Sequence, residues 1–214
     1  WLSVVYGVSH TASSVSHACP FCRSLGLIPL IWVGAVCGGV WVFALPISAW
    51  YLFSIIDAFA GLNEQNEDPH TPDTDLFWYR LITLIWAPIQ FCTLFGVLWF
   101  TLHSGHLATW EMVFLFVGMG VITGTVGINY SHELMHQKPK VERALADILL
   151  AMALYSHFRS EHLLVHHRYV ATPRDPVTAR YNEGFHRFFP RVLRASWQSA
   201  FKAEAAMRER KGKI

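Results

Sequence analysis

The sequence predicts an all-α integral-membrane protein carrying a cytoplasmic, histidine-rich helical cap, and three observations predict it. Residues 25–60 and 77–130 hold few charges, in a chain that is 53% hydrophobic and 14% aromatic. Trp and Tyr gather near the edges of those stretches (Trp50, Tyr51, Trp78, Tyr79, Trp99, Trp110), where amphipathic rings sit at a bilayer's two interfaces. Of the 17 Lys and Arg, 15 lie in 131–214. The apolar part therefore reads as membrane and the basic part as a water-facing region held on the cytoplasmic side. A mean hydropathy of +0.30 is above that of soluble proteins and below that of a wholly embedded chain.

Taken in order, residues 1–26 read as an N-terminal extension expected to be flexible, 27–130 as transmembrane helices, and 131–214 as the cytoplasmic or interfacial region. About four spans are expected. The first two are 27–43 and 45–60, broken near Pro46. Each is short against the roughly 20 residues a helix needs to cross a bilayer, so one long tilted helix over 27–60 is the alternative. The third span is 79–101, with Pro88 as a tolerated kink. The fourth is 110–128, where Gly118, Gly120, Gly124 and Gly127 allow close helix approach. Four crossings return the acidic loop 61–76 and the N-terminus to the cytoplasmic side. Residues 142–157 read as an amphipathic interfacial helix, and 171–176 as a proline-broken loop in which Asp175 can bond nearby amides. One or two surface helices over 177–209 carry Trp197 and Phe201 on an apolar stripe.

A net charge of only +2 argues against nucleic acid as a partner. The basic excess is read as a topology signal and as attraction to anionic lipid headgroups. The start at Trp1 shows no basic segment with a small-residue cleavage site, so no signal peptide is expected. The charged run 202–214 has no closing element, and the chain is read as a fragment. Cys37 and Cys92 lie in apolar spans as inert thiols. Cys19-Pro-Phe-Cys22 is a CxxC without the βαβ context a redox role needs. A zinc role there would have to recruit His10 and His17. The plainer reading is an N-terminal stretch without function.

Chemistry is concentrated in two histidine boxes. The first is His132-Glu133-Leu134-Met135-His136. The second is Glu161-His162-Leu163-Leu164-Val165-His166-His167, so the two boxes together hold five imidazoles. Imidazole is the commonest metal ligand and suits iron, zinc and copper. At helical spacing, positions i and i+4 share a face. His132 with His136, and His162 with His166, can each grip one metal, while His167 is turned away and can reach a second. Glu133, Glu161 and His157 are candidates for the supporting layer, because a ligating imidazole usually donates its other N–H to a neighbour. Five ligands are too many for one tetrahedral zinc and too few for two complete metal sites.

Other readings weigh less. HExxH by itself matches a zinc protease, in which the Glu is general base. A catalytic zinc, however, takes three protein ligands and an open position, and has no use for the whole second box. A metal transporter would place its ligands near the bilayer midplane, and these spans are nearly free of ionisable groups. Lone histidines (His70, His103, His106, His186) are read as ordinary hydrogen-bonded side chains.

The stretches Asn129-Tyr130-Ser131-His132-Glu133-Leu134-Met135-His136, Tyr155-Ser156-His157-Phe158-Arg159-Ser160-Glu161-His162 through His166-His167, and Val170-Ala171-Thr172-Pro173-Arg174-Asp175-Pro176 resemble the membrane alkane 1-monooxygenases. These are integral-membrane non-haem di-iron hydroxylases related to the membrane fatty-acid desaturases. The resemblance covers roughly 27–210. Asp57-x-x-x-Gly61-x-Asn63-x-x-Asn66 is similar to the family's acidic stretch, with Asn63 where Asp is usual. The resemblance implies six transmembrane helices, of which four would be present here. It implies two non-haem irons held almost wholly by histidines: His132, His136, His162, His166, His167 and further ligands expected beyond residue 214. It also implies hydroxylation of a terminal methyl of an alkane with O2, electrons from rubredoxin and its NADH-dependent reductase, and residence in a bacterial inner (plasma) membrane. A desaturase or an aromatic-methyl hydroxylase with the same site is the rival. An alkane offers nothing to hydrogen-bond, so selection must come from an apolar channel, for which Trp50, Phe53, Ile56, Phe91, Phe95, Phe116 and Met119 are candidate walls. Arg168, Arg174, Arg180, Arg187, Arg191 and Arg194 are a candidate docking surface for an acidic electron donor.

Overall fold

The computed structural model describes residues 24–60 and 77–212. The CxxC pair, His10, His17, His70 and the acidic loop fall outside them, as does the side chain of Asp57. The described residues are helical and contain no strand, in line with the predicted class. The chain divides into two compact units, Trp1–Leu149 and Leu150–Ile214.

In the first unit, α1 (Leu27–Cys37) is followed by a helical run, α2, over 39–60. The break between them lies at Gly38 and Gly39 rather than at Pro46. Both glycines have positive φ (62° and 54°), a region open to residues without a Cβ. The fixed φ of proline suits a helix, and Pro46 continues α2. A buried carboxylate, Glu111, pins the break: it accepts the Gly39 N–H and, at 2.5 Å, the Ala108 N–H. The one-helix alternative over 27–60 is thereby excluded. With only 11 residues, α1 is too short to cross a bilayer. Among the described residues, three helices are long and apolar enough to do so: Gly39–Ile56, Phe77–His103 and Thr109–Met135.

Phe77–His103 (α3) and Thr109–Met135 (α4) carry the site. The α4 helix does not end at 128 but runs on through the first histidine box, with a π-turn at Ile122–Gly127. Their contact is close because Gly127 has no side chain. A Cβ there would stand 2.5 Å from Oε1 of Gln90. Gln90 is fully buried and accepts the indole N–H of Trp86 at 2.8 Å. Trp86 in turn meets Tyr130 edge-on at 5.5 Å. Lys140–Met152 (α5) buries Glu142, Ala146, Leu149 and Leu150, the i, i+4, i+7, i+8 stripe of an amphipathic helix. Arg80 of α3 pairs with Glu142, and the Ser131 hydroxyl donates to the Ala146 carbonyl at 3.0 Å.

The second unit holds α6, a helix over 158–169 whose middle, His162–His166, is a π-turn, and α7, Phe185–Arg210. The predicted surface helix is thus a single element. The Ser160 hydroxyl donates to the Glu204 carboxylate across the two helices. Arg191 of α7 clasps the intervening loop. It reaches Glu183 through Nε and Nη2, both at 2.6 Å, the Pro176 carbonyl at 2.8 Å and the Thr178 carbonyl at 3.1 Å.

Candidate metal centre

The first box occupies the last turns of α4. Ser131, Leu134 and Met135 bury the inner face, which leaves His132 half-buried and His136 exposed. The two rings meet edge-on with centroids 4.9 Å apart, as i and i+4 on one helix face require. Glu133 is exposed, its Oε1 3.5 Å from Nδ1 of His132.

The second box departs from α-helical spacing, and the departure has a cause. A π-turn adds about a residue per turn, so it aligns i with i+5 rather than i with i+4. His162 and His167 accordingly face one another, Nε2 to Nε2, at 3.0 Å. With metal–imidazole bonds of about 2.1 Å, two donors at right angles around one six-coordinate ion stand roughly 3.0 Å apart, and tetrahedral ones roughly 3.4 Å. The pair therefore fits neighbouring positions on one octahedral ion. Helical spacing leaves His167 able to reach a second metal, and the π-turn sets it face to face with His162.

His166 is set differently. Its Nδ1 lies 3.0 Å from Oδ2 of buried Asp175. Burial pushes the Asp175 carboxyl up, but bonds from Thr178 (2.5 Å), the Val177 N–H (3.0 Å) and His166 outweigh it and hold the group below its ordinary value. A carboxylate accepts, so Nδ1 carries the proton and Nε2 keeps its lone pair for a metal. This carboxylate–histidine arrangement is the one that orients metal-bound imidazoles. Asp175 was expected only to bond loop amides; its contact with His166 was not visible in the sequence, where nine residues separate them.

Glu161 is 1% exposed, and among the described residues neither carboxylate oxygen has a hydrogen-bond partner. Burial, and next the charge of Asp175, push it up to about 7 against an opposing effect of His166. Nε2 of His157 is likewise buried and unbonded, and burial lowers its pKa. A buried carboxylate and a buried imidazole nitrogen left without hydrogen-bond partners are costly, a cost that a bound cation would relieve. The chemistry of the donor set fits iron, for which imidazole is a natural ligand.

The candidate channel residues are spread out. Met119 is in the core, and Phe53 and Phe116 are half-buried. Trp50, Ile56, Phe91 and Phe95 are exposed, the last two tilted together at 4.6 Å. Of the candidate docking arginines, Arg191 is spent on its clasp and is not an exposed cation.

Helices that can cross a membrane, joined to a helix with clustered imidazoles, define a helical membrane protein with a candidate metal site, and residues 108–213 match the Fatty acid desaturase family. The particular relatives are monooxygenases: the chain is a homologue of proteins named alkane 1-monooxygenase. It is 30% identical over 190 residues to Alkane 1-monooxygenase of Pseudomonas putida, covering 85% of this chain and 46% of that protein. It is 32% identical over 178 residues to Alkane 1-monooxygenase 1 of Pseudomonas aeruginosa, covering 80% and 46%. A weaker match, 24% over 193 residues (87% and 50%), is the xylene/toluene monooxygenase hydroxylase component XylM of Pseudomonas putida. The chain spans about half the length of these relatives.

Proposed function

We propose that the whole protein hydroxylates the terminal methyl of medium- or long-chain alkanes in a bacterial inner membrane, with its histidine boxes on the cytoplasmic side. The observation that carries this reading is the second box, with two imidazole nitrogens 3.0 Å apart and a third aimed by a buried carboxylate, in a homologue of alkane 1-monooxygenases. His132, His136, His162, His166 and His167 would hold iron in a two-metal centre completed by further ligands. Bound iron supplies the O2 activation and oxygen insertion.

The chain's own residues do the rest. Asp175 fixes the His166 tautomer, and Glu161 and His157 border the ligands from inside. The apolar spans hold an unfunctionalised substrate away from water. Rubredoxin, supplied by its NADH-dependent reductase, would deliver electrons near the exposed Arg168, Arg187 and Arg194, where opposite charge speeds docking and salt slows it.

The likeness to XylM favours one second reading, a methylarene as substrate. Incubating the full-length protein with an n-alkane, rubredoxin, reductase and NADH distinguishes the readings. A primary alcohol is expected. An alkene product, or turnover of methylarenes alone, overturns the proposal.

A further inference from the structure

The loop that follows the second histidine box and the helix after it enclose a cleft that the metal chemistry does not use. Its volume is about 710 Å³, within the range of small-molecule sites. One wall is the turn through Thr172, Arg174 and Arg180; the other is the flank of α7 bearing Gln198, Ser199 and Lys202. The cleft is preformed. Asp175 ties the turn through Val177 and Thr178, and Arg191 welds two of its carbonyls to α7.

That wiring separates the charges into two groups. Arg191 is matched by Glu183, and Asp175 by His166 and its hydrogen bonds. Arg174, Arg180 and Lys202 form no ion pair with a carboxylate among the described residues. Three cations without an ion-pair partner among the described residues therefore line one concave, hydroxyl- and amide-bearing surface, with Arg174 over the Tyr169 ring and Arg180 in the field of Glu183. A protein partner would need a broad face of about 800 Å², whereas this surface is small and re-entrant. Guanidinium and ammonium groups around a compact cavity suit an oxyanion with several acceptor oxygens.

We propose that this cleft is a binding site for a phosphate group, presented by the headgroup of an anionic phospholipid or by a soluble phosphate ester. The chain is a membrane protein, so the lipid source is always at hand, and its surface charge concentrates on basic segments.

The test uses the full chain in a neutral detergent. Thermal unfolding is followed while inorganic phosphate is titrated in one arm and phosphatidylglycerol in the other, with phosphatidylcholine as the uncharged control. A ligand that binds the folded state raises the unfolding temperature in a saturable way. We expect a saturable rise with phosphate or phosphatidylglycerol, none with phosphatidylcholine, and an affinity about tenfold or more weaker in R180E/K202E, as the loss of charge-assisted bonds requires. The milder R174Q and K202Q should weaken it in the same direction if the double variant does not fold. Tighter binding of phosphatidylglycerol than of phosphate identifies the lipid source, and equal binding the soluble one. No saturable rise in either arm, or unchanged affinity in the variants, overturns the proposal.

Discussion

The two histidine boxes are held by opposite means. The first rides on the end of a 27-residue apolar helix, fixed by a tightly packed layer of Trp86, Gln90, Gly127 and Tyr130. The second sits in a short helix broken by a π-turn and fixed by charge and hydrogen bonding: Asp175 on His166, Glu204 on Ser160, Glu183 on Arg191. Shape fixes one box and electrostatics the other. Packing is sensitive to volume and indifferent to pH, whereas a carboxylate network is sensitive to protonation. The difference predicts which perturbations each box will notice.

The largest effect is expected at the imidazoles themselves. His162 and His167 are already at the separation of two ligands on one ion, while the His132 and His136 rings meet edge-on with centroids 4.9 Å apart. In the full-length protein, H162A/H167A should abolish bound iron and turnover, and H132A/H136A should lower iron to a smaller degree. Iron per chain, measured on purified protein, checks this. Equal losses would erase the contrast between a preset pair and a merely adjacent one.

Next in size is Asp175→Asn. An amide cannot accept from His166, Thr178 and the Val177 N–H as a carboxylate does, and the His166 tautomer is no longer fixed. Loss of such a supporting partner typically costs 10–100-fold in metal affinity or activity. The expected result is iron affinity lowered by about that factor with the first unit's stability untouched. Undiminished affinity would mean that His166 needs no orienting.

A smaller loss, and one confined to the first box, should follow from Gly127→Val. Its side chain must enter space held by Gln90, which is fully buried and bonded to Trp86. Overpacking of this kind costs roughly 1–3 kcal/mol. Combining it with Gln90→Ala should recover part of the loss, because the two sites share one volume. A double variant no more stable than the single one would place the strain elsewhere.

How much of this was legible in the sequence depends on what sets each feature. The class, the long spans and the boxes came from composition and spacing, which hydrophobic burial enforces directly. The stripe of α5 was readable for the same reason. The helix break was misplaced at Pro46 because proline is the louder signal, while positive φ at Gly38 and Gly39 depends on a buried Glu111 far along the chain. The facing of His162 and His167 is not readable from i, i+4 spacing, which assumes an α-helix, and a π-turn leaves no composition signal. Asp175 was read as a loop residue because its partnership with His166 exists only once the loop folds back.

The smallest expected effect is a pH dependence of the loop in the second unit. Glu183 is held down to about 2, first by the Arg191 side chain and then by the Arg180 N–H. A carboxyl depressed in the folded state favours folding while it is ionised. Its contribution is therefore complete above the ordinary value of 4.5 and is lost as pH falls through about 2. Between those limits the Arg191 clasp should loosen, freeing the Pro176 and Thr178 carbonyls and with them the loop that carries Asp175. The first unit's packed layer contains no group of this kind at the Gly127 contact. Acid titration of the full chain, followed by hydrogen exchange resolved by segment, should show protection lost over 171–191 before it is lost over 115–135. Glu183→Gln should show a smaller acid-dependent step, keeping only the part that Asp175 contributes, and should start from weaker protection in that segment at neutral pH. Simultaneous loss in both segments, or an unchanged acid step in the variant, would show that the two boxes are held by the same forces.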